Sequence, residues 1–363
     1  MGIRFTATVA VAILLIATTG GTALADTTAS VDREVVQEGL DQVVATAALG
    51  VQLRATSDGE QFTARSGKAE LNKDKPVPLN GKFRAGSITK MFVSTVVLQL
   101  AGEGKVDLAA PVETYLPGLI DQQITVRDLL QHTSGLYDHN DALPFDPAGF
   151  EQIRYRHWEP EELVAISTSR PLEFRPGTKW KYSNTNYVVA GLLIEKITGR
   201  PLERVVEQRV LKPLRLNDTV LPGDNDRIDG PHAHGYWAIG GKPVDITRFN
   251  TSVFWAEGNI VSTTKDLDTF VAALASGRLL RPAQQQELTR TTAVSPGYGL
   301  GVSIQVLPCG TTVWGHDGGV PGSGSLVLTT PDLRKRVALN ANTSLGEGDP
   351  SPGLQKILGA VFC

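Results

Sequence analysis

The sequence predicts an α+β protein in which one mixed sheet is assembled from both ends of the chain around a mainly helical insert. Three observations carry this expectation. β-rich runs occur near the start, at Ala48 to Ala55 and Gln61 to Ser66 with Ser57-Asp-Gly59 between them, and they return after about Asn259. The stretch between them is punctuated by proline and reads as helical. Ile88 to Leu100 is apolar almost all round, which marks a helix buried on every side. The organisation expected is therefore a leader at 1–25, an α/β unit from 26–106 and 250–363, and a mainly helical insert at 107–249.

Taken in order, the chain opens with Met1-Gly-Ile-Arg4, an apolar stretch from Phe5 to Ala17, and Ala23-Leu24-Ala25 before Asp26. This is the three-part pattern of a secretory leader, so cleavage near Ala25 and an extracellular mature chain are expected. The alternative, a membrane anchor, suits it less, because the apolar core is shorter than the ~20 residues a spanning helix needs. No second stretch of spanning length follows, and no stable membrane insertion is expected. Val36, Leu40, Val43, Val44 and Ala47 recur at helical spacing before the first hairpin. Leu79 to Ser87 is loop-like, and Ala101-Gly-Glu-Gly104 stops the buried helix.

The insert offers a short helix at Val126 to Gln131, a Pro- and aromatic-rich passage from Leu143 to Pro160, and helices near Glu161 to Ser167, Asn186 to Ile197 and Pro201 to Val210. After Asn259 the pattern is one helix and strands near Val302 to Val306, Thr311 to His316, Ser325 to Leu328 and Arg336 to Ala341. A net charge of −3 from 35 basic and 38 acidic residues, with no Lys/Arg run, argues against a nucleic-acid or lipid-surface partner. A monomer is expected. The two cysteines, Cys309 and Cys363, are most simply a disulfide in an exported chain, since no CxxC spacing suggests zinc.

Ser87-Ile-Thr-Lys90 sets a hydroxyl and an amine three residues apart at the start of the buried helix, hence on one face. A serine hydroxyl attacks only when a neighbour accepts or relays its proton, and an amine suits that task. The motif alone is weak, for Ser262-Thr-Thr-Lys265 repeats it where Ser262, Thr263 or Thr264 can simply cap a helix. Two more elements strengthen the first copy. Among seven tyrosines only Tyr182 has Asn two places on (Tyr182-Ser-Asn184), and among six histidines only His316 has Gly two places on (His316-Asp-Gly318). The order Ser87, Tyr182, His316 follows the motif order of penicillin-binding proteins, with Tyr-x-Asn for Ser-Asp-Asn and His-x-Gly for Lys-Thr-Gly.

With Phe83-Arg-Ala-Gly-Ser87-Ile-Thr-Lys90, Tyr115-Leu-Pro-Gly118, Ile124-Thr-Val-Arg127, His132-Thr-Ser-Gly-Leu-Tyr137, Tyr182-Ser-Asn-Thr-Asn186, Val189-Ala-Gly191, Asp266-Leu-Asp-Thr-Phe270, Tyr298-Gly-Leu-Gly301 and Gly315-His316, the chain resembles the secreted serine D-alanyl-D-alanine carboxypeptidases/transpeptidases. Class C β-lactamases and related esterases are more distant kin. The resemblance covers essentially the whole mature chain and implies a β-lactamase/DD-peptidase-like fold: a central antiparallel sheet flanked by helices, plus an all-helical lobe, with the site between. It implies that Ser87 forms an acyl-enzyme, that Lys90 and Tyr182 share the proton work with the base left open between them, and that Asn184 orients Lys90 and contacts the substrate amide. It further implies His316 on the sheet side of the cleft and an oxyanion hole from the backbone N–H groups of Ser87 and Gly319. The cysteines fall where that family's disulfide lies, and neither a metal nor a cofactor is implied.

The chain departs from this pattern at the substrate carboxylate. Where relatives place hydroxyl residues after the sheet histidine, this chain reads Asp317, Gly318 and Gly319. Where they place a basic residue after the Tyr-Gly-Leu-Gly turn, it reads Val302-Ser303-Ile304-Gln305. An acid there repels a carboxylate, so weak acylation by penicillins is expected. Two enzyme readings follow: a D-alanyl-D-alanine carboxypeptidase using other contacts, or a D-stereospecific amidase, aminopeptidase or esterase whose Asp317 attracts a substrate ammonium. A non-catalytic receptor is the third reading, opposed by the intact chemical residues. Asp317 itself is open between a substrate contact and a solvated acid. Gly318, Trp255 and Phe145 are the further substrate-contact candidates, with Tyr137 as another wall. His132 is expected to hold a turn, and His232-Ala-His234, lacking a third ligand, to decorate a loop.

Overall fold

A computed structural model describes residues 31–121, 123–343 and 348–363; the expected leader at 1–25 lies outside them. In chain order the strands are β1 (Ala48–Ser57), β2 (Glu60–Gly67), β3 (Phe83–Arg84), β4 (Tyr236–Ile239), β5 (Lys242–Asp245), β6 (Val261–Ser262), β7 (Ser303–Val306), β8 (Thr312–Val320), β9 (Ser323–Thr329) and β10 (Lys335–Thr343). The helices are α1 (Arg33–Thr46), α2 (Thr89–Gly102), α3 (Val126–Leu130), α4 (Pro147–Ile153), α5 (Pro160–Thr168), α6 (Thr185–Thr198), α7 (Leu202–Val206), α8 (Lys212–Leu214), α9 (Trp255–Gly258), α10 (Thr264–Ala275), α11 (Pro282–Leu288) and α12 (Ser351–Phe362).

The main sheet runs β2-β1-β10-β9-β8-β7, and every neighbouring pair is antiparallel. This is the central antiparallel sheet that the family resemblance implies, and the mixed sheet read from strand placement alone is corrected to it. Tight turns dictate this for β1–β2 and β8–β9, because a two-residue connection reverses the chain. Asp58 and Gly59 take φ of 50° and 89° between β1 and β2, and Gly322 takes 83° between β8 and β9. The register of β1 against β10 joins the two ends of the chain side by side.

Alternation along the strands divides the core. Leu326, Leu328, Val337 and Leu339 face a cluster with Val36, Leu40, Ile357 and Val361, while Val327 and Ala338 face the opposite one with α2 and the helical lobe. Helices α1 and α12 pack closely, for a side chain at Gly39 would strike Ile357 Cγ1 at 2.7 Å and the Gly353 carbonyl at 2.8 Å. The reading of one helix after Asn259 is corrected to α10, α11 and α12. Leu354, Ile357, Leu358 and Val361 give α12 a helical stripe, and all are buried.

Helix α2 is buried from Thr89 to Leu98 and at Leu100, as an apolar surround predicts. The second Ser-x-x-Lys copy is a cap: Thr263 Oγ1 accepts from Asp266 N at 3.2 Å at the start of α10. The insert carries one hairpin, β4–β5, among its helices. No helix among the described residues is long and apolar enough to cross a membrane.

Cys309 and Cys363 are bonded, with Cα atoms 5.8 Å apart and a sequence separation of 54. The link ties the end of α12 to the β7–β8 turn. Because closing a long loop restricts the unfolded chain, Cys309→Ser is expected to lower the unfolding free energy by about 2–4 kcal/mol in urea titrations. An unchanged midpoint would contradict it.

Candidate active site

Ser87 lies in a 3₁₀ turn, Gly86–Ile88, that leads directly into α2. The turn and first helical residues place Lys90 Nζ 3.0 Å from Ser87 Oγ. Gly86 holds φ at 54°, in the left-handed region that glycine tolerates. A Cβ there would lie 2.7 Å from Gly319 N, and one on Gly318 would lie 2.0 Å from the Ala85 carbonyl. Glycines on both sides therefore let β8 press against the serine turn. Ser325 Oγ donates to the Ala85 carbonyl at 2.8 Å and Ser323 Oγ to the Arg84 carbonyl at 2.8 Å, fixing the strand edge. Arg84 is buried, donates to the Asp226 and Thr247 carbonyls, and sits 4.2 Å over the Phe249 ring.

Lys90 is wholly buried. Beyond Ser87 its ammonium meets Asn184 Oδ1 at 2.8 Å, the Glu257 carbonyl at 2.8 Å and Glu257 Oε2 at 3.0 Å. Asn184 Nδ2 donates to Asp138 Oδ2 at 2.9 Å, which fixes the amide with its oxygen toward Lys90. Asn140 Nδ2 donates to the other Glu257 oxygen at 3.1 Å. Burial, with Glu257 nearby, pushes the Asp138 carboxyl up to about 7.

Tyr182 hydrogen-bonds Ser87, and burial holds its hydroxyl well above the usual phenol range, with the negative charges of Glu257, Asp317 and Asp138 adding to the effect. It is a phenol in the resting site. Its ring stacks on His132 with centroids 4.2 Å apart and lies 5.0 Å from Lys90 Nζ.

His316 ends a proton-ordered chain whose direction follows from the groups that can only donate or only accept. Ser183 N–H donates to His132 Nδ1 at 3.2 Å, so the His132 proton sits on Nε2 and is donated to Tyr298 Oη at 3.3 Å. Tyr298 donates to His316 Nε2 at 2.8 Å, and His316 Nδ1–H donates to the Asp317 carbonyl at 2.5 Å. Burial lowers the pKa of both imidazoles, consistent with neutral rings.

The structure thus brings together Ser87, Lys90, Tyr182 and Asn184, and sets Gly319 beside the serine turn. His316 hydrogen-bonds Tyr298 and the Asp317 carbonyl, so both its ring nitrogens are engaged within the protein. Asp317 is 40 % exposed on β8 beside the buried Gly318. Trp255 does not line the cleft: it is buried against Gly191 of α6, and its Nε1 donates to Glu203 Oε1 at 3.2 Å. Its place in a short helix wedged between α2 and α6 turns the indole into the core. Phe145 is half-buried and stacks on Phe254 at 5.4 Å; Tyr137 is half-buried beneath Arg170. His132 does hold a turn, with φ of 60° and its carbonyl accepting from Lys181 N. His232 and His234 stack on each other and bond the Gly230 carbonyl and Asp245.

Glu257, Asp138, Asn140 and Tyr298 are the contacts that the sequence reading did not assign to the site. Tyr298 stood in a motif that already suggested importance. Glu257 carried no pattern signal of its own.

The family model described as Beta-lactamase matches residues 33–361. A D-stereospecific amidohydrolase from Streptomyces sp. superposes with a TM-score of 0.83 at 39% identity, covering 92% of this chain and 99% of that one. The D-amino acid amidase from Ochrobactrum anthropi SV3, complexed with D-phenylalanine, gives 0.80 at 28% identity, over 90% and 98% of the two chains. Among curated proteins, Penicillin-binding protein 4* of Bacillus subtilis (strain 168) is 26% identical over 300 residues, 76% of this chain but 64% of that protein, so the match spans less than two thirds of that relative's length.

Two outcomes follow from the geometry. Gly86→Ala, by pushing Gly319 N away, is expected to slow acylation of Ser87 by about 100-fold or more, the scale of a lost oxyanion donor; a wild-type burst rate would contradict it. Because folding raises the Asp138 carboxyl from 3.8 to about 7, its stabilising contribution is complete below 3.8 and is lost as pH rises through about 7. The stability difference between wild type and Asp138→Asn should therefore change by on the order of 4 kcal/mol across that window. Parallel pH curves would contradict this.

Proposed function

The chain belongs to the beta-lactamase family of serine hydrolases, and from that premise we propose that it is a D-stereospecific amidase or aminopeptidase acting on D-aminoacyl amides and esters. Export by the leader at 1–25 would deliver that activity outside the cell.

Ser87 Oγ attacks the substrate carbonyl, with the developing oxyanion received by the backbone N–H groups of Ser87 and Gly319. The Ser87 proton leaves toward Lys90. The departing nitrogen takes its proton from Lys90, while Tyr182 stays a neutral phenol hydrogen-bonded to Ser87. Water then repeats the attack on the acyl-serine to release the D-amino acid.

The observation that carries the substrate assignment is the charge of the sheet side. His316 is neutral and fully bonded, its neighbour Asp317 is acidic, and Lys90, the cationic side chain bonded within this cluster among the described residues, is already engaged by three acceptors. Such a wall attracts a substrate ammonium and repels the terminal carboxylate of a D-alanyl-D-alanine peptide. The likeness to the Streptomyces amidohydrolase at 39% identity supports the same choice, and it favours amidase over carboxypeptidase.

Purified mature protein is expected to turn over D-phenylalanine amide at least about 10-fold faster, in kcat/KM, than a D-alanyl-D-alanine peptide, and faster than the L-amide. Asp317→Asn should raise KM for the D-amide about 5- to 10-fold, the scale of one partly exposed ionic contact, with p-nitrophenyl acetate hydrolysis unchanged. A preference for the D-alanyl-D-alanine peptide, or an Asp317→Asn enzyme indistinguishable from wild type, would overturn the assignment. Intact-mass analysis should show an acyl adduct that Ser87→Ala lacks.

A further inference from the structure

Three of the four oxygens around Lys90 Nζ have no proton to give. Asn184 Oδ1, the Glu257 carbonyl and Glu257 Oε2 are pure acceptors at 2.8, 2.8 and 3.0 Å. The Asn184 amide is held against reversal by its bond to Asp138. A neutral amine offers two N–H groups and one lone pair, so it would leave one buried acceptor facing a lone pair. An ammonium offers three N–H groups and satisfies all three. In the ion pair with the Glu257 carboxylate, the resting Lys90 is therefore an ammonium without a lone pair for the Ser87 proton. Tyr182 is a neutral phenol and does not supply a base either.

The group behind the lysine does. Glu257 is 3 % exposed on its side chain, its Oε1 accepts from Asn140, and among the described residues its Oε2 meets Lys90 alone. Asp138 and Tyr182 are the other titratable groups that sense its charge, and the buried His139 senses that of Lys90. Burial penalises both members of an ion pair, which brings the neutral pair, amine and carboxylic acid, closer in energy.

We propose that Glu257 is the proton acceptor that turns Lys90 into a base. Lys90 passes one N–H proton to Glu257 Oε2 and, on the electron pair so freed, takes the proton of Ser87. Ser87 Oγ bonds the carbonyl carbon, whose π pair moves to oxygen. The charges before the step, ammonium and carboxylate, become ammonium, carboxylic acid and oxyanion, so the total is unchanged. When the tetrahedral adduct collapses, the leaving group departs with the bond pair and takes a proton from Lys90, and Glu257 returns its proton to Lys90. Glu257 is thus a positioning residue that acts through Lys90. The inference rests on Ser87 as nucleophile and is independent of which acyl group it accepts.

The test is the p-nitrophenol burst with p-nitrophenyl acetate, an ester without a D-aminoacyl group, followed in mixtures of light and heavy water. Two protons in flight should make the wild-type burst rate curve with deuterium fraction. Glu257→Gln keeps an acceptor of the same shape but cannot take the proton, so its burst should be about 100-fold slower, linear in deuterium fraction, and unchanged in KM. A linear wild-type dependence, or a Glu257→Gln burst at the wild-type rate, overturns the proposal. If Glu257→Gln does not fold, the wild-type curve alone decides. Absence of any burst from wild type would remove the nucleophile and this inference together, whereas a failed D-amide preference would leave it standing.

Discussion

The site is organised by one buried cation. Taking the Lys90 ammonium out of water is costly unless fixed oxygens replace its hydration, and those oxygens come from three separate parts of the chain: Ser87 beside it on the same turn, Asn184 at the start of α6, and Glu257 in α9. Satisfying the lysine therefore docks α6 and α9 against the start of α2. It also aligns the nucleophile, because the same nitrogen that requires Asn184 and Glu257 sits 3.0 Å from Ser87 Oγ.

The sheet contributes backbone rather than charge. Gly318 and Gly319 let β8 lie flush against Ala85 and Gly86, and the chain from Ser183 through His132 and Tyr298 to His316 fixes the strand's histidine as a neutral ring. A cationic residue at that position would recruit a carboxylate. Here the sheet side offers Asp317 instead, while the Glu257 carboxylate is balanced by the Lys90 ammonium.

Much of this was readable from residue patterns. Periodicity located the sheet strands and the all-apolar α2, and the spacing of Ser87, Lys90, Tyr182 and Asn184 identified groups that the fold does bring into contact. Strand direction was not readable from periodicity, since a period of two is shared by both pairings; the glycine turns decide it. Helix α12 has a legible stripe, but it follows a run rich in Gly and Pro and is short. Trp255 was a candidate cleft wall on residue type alone, although large aromatics more often pack in cores, and its position in α9 points it at Gly191. Glu257 was invisible for a different reason: a carboxylate meets a lysine 167 positions away only through the fold, and no local pattern encodes that pairing.

The protonation state of Lys90 tests the whole arrangement most directly. Nitrogen-15 NMR of lysine-labelled protein at neutral pH, with Lys90 assigned by its loss in Lys90→Arg, reports how many protons its Nζ carries. The account predicts three, an ammonium slow to exchange because its N–H groups are engaged. A neutral amine signal from the resting enzyme would contradict it.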